Sequence, residues 1–563
     1  MNTPDANALL PAESDYDRLH ANFAWAVPAR FNIASVCCDR WAEDPERLAM
    51  IEIGDDGSAR EITFAELQRG ANRLANSLAA QGVQPGDRVG VLLPQRHETA
   101  LVHLACFKLG AISVPLFSLF GPEALLHRLA DCDMRAIVSD ARGLATLDEI
   151  RHQLPALQAI YTVDGVPEAG RPTSDALDFH AALAAASEAF VTRDTRPDEP
   201  ALIIYTSGTT GSPKGAVHGH RVLLGHLPGV EMSHNLLPQP GDRLWTPADW
   251  AWIGGLLDVL LPALYHAVPI VAHRMLKFSP EAAFALIERH RVRNLFLPPT
   301  ALKLMRRVEQ PQRRWQLDVR SVASGGESLG EALLAWGQET FGLTINEFYG
   351  QTECNMVLSA CAALGVHRPG AIGKAVPGHE LAIVDAEGER LADGETGHIA
   401  VRAPDPVMFL HYWQKPEATA AKFAGEWLLT GDMGRRDAEG YFSFLSRDDD
   451  VITSAGYRIG PAPIENCLLG HPAVRMAAVV GKPDELRTEI VAAYVVLAEG
   501  WDASPALVET LQQHVRSRLA AHEYPREIHF VDEFPMTATG KIVRKALRML
   551  DRDERTLDRD ETP

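Results

Sequence analysis

At 563 residues the chain is too long for one hydrophobic core, and at about 150 residues per unit it is expected to divide into roughly three or four. A composition of 46% hydrophobic and 23% charged residues excludes a disordered chain or a fibre. With 74 acidic against 54 basic residues the net charge is -20, which excludes wide contact with nucleic-acid phosphates and leaves small anionic ligands open wherever local donors gather.

No run approaches the roughly 20 apolar residues that cross a bilayer, and the start "MNTPDANALLPAESDYD" has neither a basic n-region nor an apolar h-region, so a cytoplasmic protein is expected. Cys37, Cys38, Cys106, Cys132, Cys354, Cys361 and Cys467 include one adjacent pair and no CxxC. Reduced, mostly buried thiols are expected, rather than a zinc site or a disulfide framework.

"TFAELQRGANRLANSLAAQG" carries a capping box from Thr63 to Glu66 and apolar residues at Phe64, Leu67, Ala71, Leu74 and Leu78, which predicts a helix ending at Gly82. The turn "VQPGD" and the short apolar run "RVGVLLP" predict a buried strand after it. The same helix-then-strand order returns in "HETALVHLACFKLGAISVPL", "EAAFALIERHRVRNLFLPP" and "EALLAWGQETFGLTINEFYG". An α/β protein with largely parallel sheets covered by helices on both faces follows.

Residues 163–198 read as a polar, Pro-rich connector into the strand "ALIIY". After "SRDDDVITSAGYRIGP" the pattern restarts on a smaller scale, with strands "VRMAAVVG" and "IVAAYVVL" and a helix capped by Ser504 and led by Pro505. The expected organisation is a large domain over 1–447, a small α+β domain over 448–550 and a charged tail over 551–563.

"YTSGTTGSPKG", residues 205–215, follows the strand "ALIIY", and its glycines free backbone N–H groups to converge while hydroxyls and Lys214 add donors. It is not a Walker loop, because a lysine in that pattern needs Gly before it and position 213 is Pro. Alone, the loop reads more readily as a surface turn. Four further stretches bear on the choice: "NEFYGQTECN", "EWLLTGD", "SRDDDV" and "FPMTATGKIVRKALR".

Together and in this order these stretches resemble the adenylate-forming (ANL) superfamily, and "GYRIGP" with the region around residues 94–130 is most similar to its short- and medium-chain acyl-CoA synthetases, relatives of acetyl-CoA synthetase. The resemblance spans roughly residues 30–548. It implies the adenylate-forming fold and two half-reactions: a carboxylic acid and ATP give acyl-AMP and pyrophosphate, then coenzyme A takes the acyl group and releases AMP.

By resemblance, Thr206, Ser207, Gly208, Thr209, Thr210, Gly211 and Lys214 clamp the ATP phosphates, with Lys214 an accessory donor. Thr352 meets the phosphate, Glu353 holds Mg2+, and Tyr349, Gly326, Glu327 and Ser328 line adenine. Asp432 and Arg447 take the ribose, Asp449 is the hinge, Gly456 and Arg458 meet coenzyme A, and Lys541 is the adenylation lysine. Ser446 stands where relatives carry Gly.

Acetate-specific relatives have Trp at the position of Gly350, so an acid longer than acetate is expected among Trp252, Ile253, Gly254 and Gly350. The resemblance also points to a lysine acetyltransferase and deacetylase acting on Lys541, and it allows a homodimer. A ligase loading a separate carrier protein, or an aryl-CoA ligase, stays open beside the acyl-CoA reading.

The chemistry agrees with this residue set. A carboxylic acid is already ionised at neutral pH, so its attack on ATP needs no base and is limited by repulsion between anions. Cations and N–H donors relieve that repulsion, and an acyl adenylate is reactive enough for a thiol to attack directly. No protein nucleophile is required.

Overall fold

The computed structural model describes residues 8–206, 213–327, 329–454, 457–484, 488–519, 523–536, 542–544 and 546–548. Among them the chain builds four sheets, three in a large N-terminal domain and one in a smaller C-terminal domain. The helix Phe64–Ala80 starts on its capping box: Thr63 Oγ1 accepts from the Glu66 N–H at 3.2 Å, and the Glu66 carboxylate accepts from the Thr63 N–H at 2.8 Å. Leu67, Ala71, Leu74 and Leu78 form its buried face.

The strand Arg88–Leu92 lies between parallel strands Ile112–Pro115 and Ala136–Ser139, in the interior of an eight-stranded sheet. A strand covered on both faces reads as a continuous apolar run, as this one does. Pro200–Thr206 joins the same sheet and turns back as Lys214–Gly219. A nine-stranded sheet holds the parallel strands Leu244–Trp245, Asn294–Phe296, Ser321–Gly325 and Ile345–Gln351 at its centre. The helices Pro280–Arg289 and Glu331–Phe341 lead into two of them, as their periodicity predicts.

Two regions differ from the expectation. The polar stretch 163–198 is only partly a connector: Leu177–Asp178 adds an edge strand, and Asp178 caps the helix Phe179–Ala185, whose Phe179 and Leu183 are buried. Its Pro- and Arg-rich flanks mask a seven-residue amphipathic helix. Residues 381–447 form a five-stranded antiparallel sheet, not a parallel one. Gly425 and Gly440, both at positive φ, close its tight connections, and such connections join antiparallel neighbours because a parallel pair needs a long crossover.

The chain leaves that sheet with the strand Phe442–Arg447 and enters the next with Ile452–Ser454. We propose the domain boundary in this interval, at 447/448. The C-terminal sheet is dominated by the pair Val474–Asp484 and Thr488–Leu497. The helix Pro505–Arg516, whose cap Ser504 Oγ accepts from the Leu507 N–H at 3.2 Å, buries Leu507, Leu511 and Val515 against it. All seven cysteines are free thiols, six of them buried. No helix among the described residues is long and apolar enough to cross a membrane.

Candidate active site

The ends of several strands converge on a cleft of about 830 Å³. Thr206 and Lys214 face each other across the antiparallel pair that carries the glycine-rich loop, and both line the cleft. Ser207, Gly208, Thr209, Thr210 and Gly211 lie outside the described residues. Lys214 Nζ stands 5.3 Å over the ring of Tyr412, which the strand His411–Tyr412 pairs opposite Ala216. The Tyr412 hydroxyl donates to Glu353 Oε1, and Glu353 is 7% exposed at the cleft wall beside Thr352. Lys214, Tyr412 and Glu353 therefore form one connected group from three segments.

The antiparallel sheet supplies the next wall. Its register sets Asp432 opposite Arg447, and Arg447 Nη1 lies 2.9 Å from Asp432 Oδ1. The Tyr349 hydroxyl donates to Asp432 Oδ2 at 2.5 Å. Burial, with the Asp432 charge beside it, holds the Tyr349 hydroxyl well above its ordinary range, so it stays a donor. Ser446 is buried and pairs with Met433, and the ladder shifts its register directly beside this pair, between Met433 and Gly434.

Gly326, at φ +99, and Glu327 follow the strand Ser321–Gly325 into the cleft. Glu327 Oε2 lies 3.3 Å from Lys303 Nζ. It also faces the C-terminal domain, where burial would push the Arg544 guanidinium down but Glu465 above all, then Asp450 and Glu327, hold it charged.

The opposite end of the cleft is aromatic. Trp252 packs 5.5 Å from Phe117 and 6.0 Å from Phe120, and Phe296 lies 5.3 Å from Phe348. Ile253, Gly254 and Gly350 line this end with them. An added Cβ at Gly254 would stand 3.1 Å from Phe296, whereas one at Gly350 would stand 2.2 Å from Asn355 Oδ1 and 2.6 Å from Asn355 Cα. The space beside Gly350 is thus filled by Asn355, and this glycine serves close approach of two backbones. Burial raises Asp249 to about 6 and Glu347 to about 8 here, and holds Asp258 well above the usual carboxylate range.

Ser328, Gly456 and Lys541 lie outside the described residues, as do the side chains of Asp449 and Arg458. Cleft residues that escaped the sequence reading include Phe296, Phe348, Tyr412, Lys422, Asn355 and Asp258. Lys422 Nζ donates to Gln351 Oε1 at 2.9 Å, and Asn355 Nδ2 donates to Asp258. Asn355 was within reach of sequence reasoning, because it follows "YGQTEC" directly. Tyr412 carried no signal, since it meets Glu353 across 59 residues.

Comparison with known proteins places these features in a family. The AMP-binding enzyme profile matches residues 38–413, and the profile of the AMP-binding enzyme C-terminal domain matches 463–541. The chain is 35% identical over 536 residues to the mitochondrial acyl-coenzyme A synthetase ACSM2 of Rattus norvegicus, covering 93% of this chain and 92% of that one. It is 33% identical over 549 residues to the acetyl-coenzyme A synthetase of Bacillus subtilis (strain 168), covering 95% and 94%. Among solved structures, the anthranilate CoA ligase AuaEII in complex with anthranoyl-AMP superposes with a TM-score of 0.85 at 28% identity, over 94% of this chain and 99% of that one. The Brucella canis acyl-CoA synthetase gives 0.73 at 34% identity, over 96% and 99%.

Proposed function

We propose, for a chain that belongs to the AMP-binding enzyme family and is an AMP-forming ligase, that it activates a carboxylic acid larger than acetate and passes the acyl group to coenzyme A. The observation that carries this reading is the polarity gradient of the cleft. One end holds the 4% exposed carboxylate of Asp432 between Tyr349 and Arg447, and the other is walled by Trp252, Phe296 and Phe348. A nucleotide suits the first end and an acyl group the second.

In this reading Asp432, a pure acceptor when ionised, takes the ribose hydroxyls, and Tyr349 and Arg447 fix its orientation. Tyr349, Gly326, Glu327 and Ser328 surround adenine. Thr206 to Gly211 and Lys214 hold the phosphates, and Thr352 adds a hydroxyl donor. Glu353 fits a Mg2+ ligand: Tyr412 holds one carboxylate oxygen, and one carboxylate plus substrate phosphates is the usual donor set for that ion. When bound, Mg2+ neutralises phosphate charge.

Lys541 bridges the substrate carboxylate and the α-phosphate, so the repulsion between two anions falls as the carboxylate oxygen attacks phosphorus and pyrophosphate leaves. Gly456 and Arg458 then meet coenzyme A, whose thiol attacks the acyl carbonyl and expels AMP. The small domain turns about Asp449 between the two steps, since Lys541 and the coenzyme A segment both lie beyond it while the ATP residues lie before it.

The aromatic lining favours a second reading of the acid as an aryl carboxylate, and ligases named for anthranilate and for benzoate are among the similar structures. Coenzyme A-dependent AMP release, measured across straight acids of two to ten carbons with branched and aryl examples, tests both. Release with at least one acid beyond acetate is expected. Acid-dependent pyrophosphate exchange with no coenzyme A-dependent AMP release would move the acceptor to a carrier protein.

A further inference from the structure

We infer that the acyl end of the cleft is built for a carboxylic acid bearing a hydrogen-bond donor, an amino or hydroxyl group, at its far end, and that Asp258 reads that group. This deepens the proposed acid activation and rests on it. Asp258 is 3% exposed, yet it lines the cleft with Gly254 and Asn355. It sits in the π-helical turn Leu256–Leu260, where each of the other four residues is a fully buried Leu or Val. Packing alone would be served by a fifth aliphatic residue, because a buried carboxyl costs stability unless its oxygens are satisfied.

The polar atoms around Asp258 show what is missing. Asn355 Nδ2 donates to Oδ1 at 2.8 Å and to Oδ2 at 2.9 Å, using part of the carboxyl group's acceptor capacity. His226 Nε2 lies 3.9 Å from Oδ1, too far for a hydrogen bond. It brings no donor either: His226 Nδ1 sits 2.8 Å from the Val222 carbonyl and so carries the ring proton, while burial lowers the imidazole to about 3. The remaining Asn355 atom turned to this end, Oδ1, is another acceptor.

Even with the one O–H of an Asp258 carboxyl that burial holds well above the usual carboxylate range, acceptors outnumber donors at this wall, since both Asp258 and Asn355 Oδ1 present accepting oxygens to it. A substrate N–H or O–H completes it, and a methyl terminus leaves it unmet. Gly254 keeps the approach open, since a Cβ there would come within 3.5 Å of Asp258 Oδ2. The flanking rings of Trp252 and Phe296 cover the apolar body of such an acid.

The test is coenzyme A-dependent AMP release with matched acids: 4-aminobenzoate and 4-hydroxybenzoate against 4-methylbenzoate, and 5-aminopentanoate and 5-hydroxypentanoate against hexanoate. In at least one set a donor acid is expected to exceed its methyl partner by about tenfold or more in kcat/KM, and the amino and hydroxyl arms identify the donor. Asp258→Leu should reverse that ratio. Asp258→Asn, nearly isosteric and read alongside its melting temperature, should cut it about tenfold even if the leucine variant does not fold. Preference for the methyl acid in every set, or an unchanged ratio in a folded variant, overturns the inference. AMP release with no acid of any kind would instead overturn acid activation itself.

Discussion

Replacing Tyr412 by Phe removes one oxygen from the centre of the Lys214, Tyr412 and Glu353 group and leaves its packing in place. The ring keeps its edge-on contact with Phe409 at 4.9 Å and its position under Lys214. What disappears is the hydroxyl donated to Glu353 Oε1, in a wall where Tyr412 is 4% exposed and Glu353 7%. A hydrogen bond to a charged acceptor contributes about 1.5–3 kcal/mol, and groups that orient a metal ligand typically change metal affinity by about 10–100-fold. At about 1.4 kcal/mol per tenfold these two scales agree. Tyr412→Phe is therefore expected to raise the Mg2+ concentration for half-maximal pyrophosphate exchange by about 10–100-fold at saturating ATP and acid. The assay is a Mg2+ titration of exchange beside a melting curve. An unchanged Mg2+ dependence with a lowered melting temperature would refute the reasoning and reduce the hydroxyl to a packing anchor.

Gly350→Ala is expected to cost about 1–3 kcal/mol and to impair activity, because its Cβ would press on Asn355 Cα at 2.6 Å, a backbone atom; Gly254→Ala meets a ring edge at 3.1 Å and should mainly trim the range of acids. Parallel melting curves and acid panels separate the two. Burial would lower His97, but the hydrogen bonds it donates to Glu52 and Glu98 raise it from 6.5 to about 9. Its contribution, about 3 kcal/mol at most, is complete below pH 6.5 and lost as pH rises through about 9. Melting from pH 6 to 9.5 should thus fall for the wild type and stay flatter for His97→Gln; parallel curves would count against the network. Lys541→Ala should abolish pyrophosphate exchange yet spare thioester formation from supplied acyl adenylate, and equal loss of both would sink the divided roles.

Elements with short-range causes were legible in the sequence. The capping box of Thr63 and Glu66, the cap at Ser504 and the continuous apolar run of Arg88–Leu92 each act within a few residues. The antiparallel sheet over 381–447 was not, because its identity as a sheet depends on pairings rather than on periodicity. The same division holds in the cleft. Tyr349, Gly350, Thr352 and Glu353 stand in one quoted stretch, whereas Tyr412 and Lys422 reach it only through tertiary contacts. Asp258 was invisible for another reason: within "LLDVLLPAL" it reads as a lone polar interruption of a buried helix, and only its bond to Asn355 turns it toward the cleft.

These contacts share one origin, the strand Ile345–Gln351. Successive side chains of a strand point to opposite faces. Tyr349 and Gln351 point to the antiparallel sheet, where they meet Asp432 and Lys422. Phe348 and Gly350 point the other way, to Phe296 and to Asn355 with its partner Asp258. The period-two alternation of one strand thus separates the charged end of the cleft from its aromatic end. A slip of one residue in its pairing would exchange the two faces. That register is fixed on one side by parallel pairing from Val322 and Ile345 to Gly325 and Phe348, and on the other by antiparallel pairing of Phe348 with Ser359 and Tyr349 with Leu358, after which the ladder shifts at Gly350, between Tyr349 and Gln351. The order of residues in "EFYGQTE" consequently sets which side chains build which wall, and the glycine at 350 is the point where the two backbones approach closely enough for both walls to share one strand.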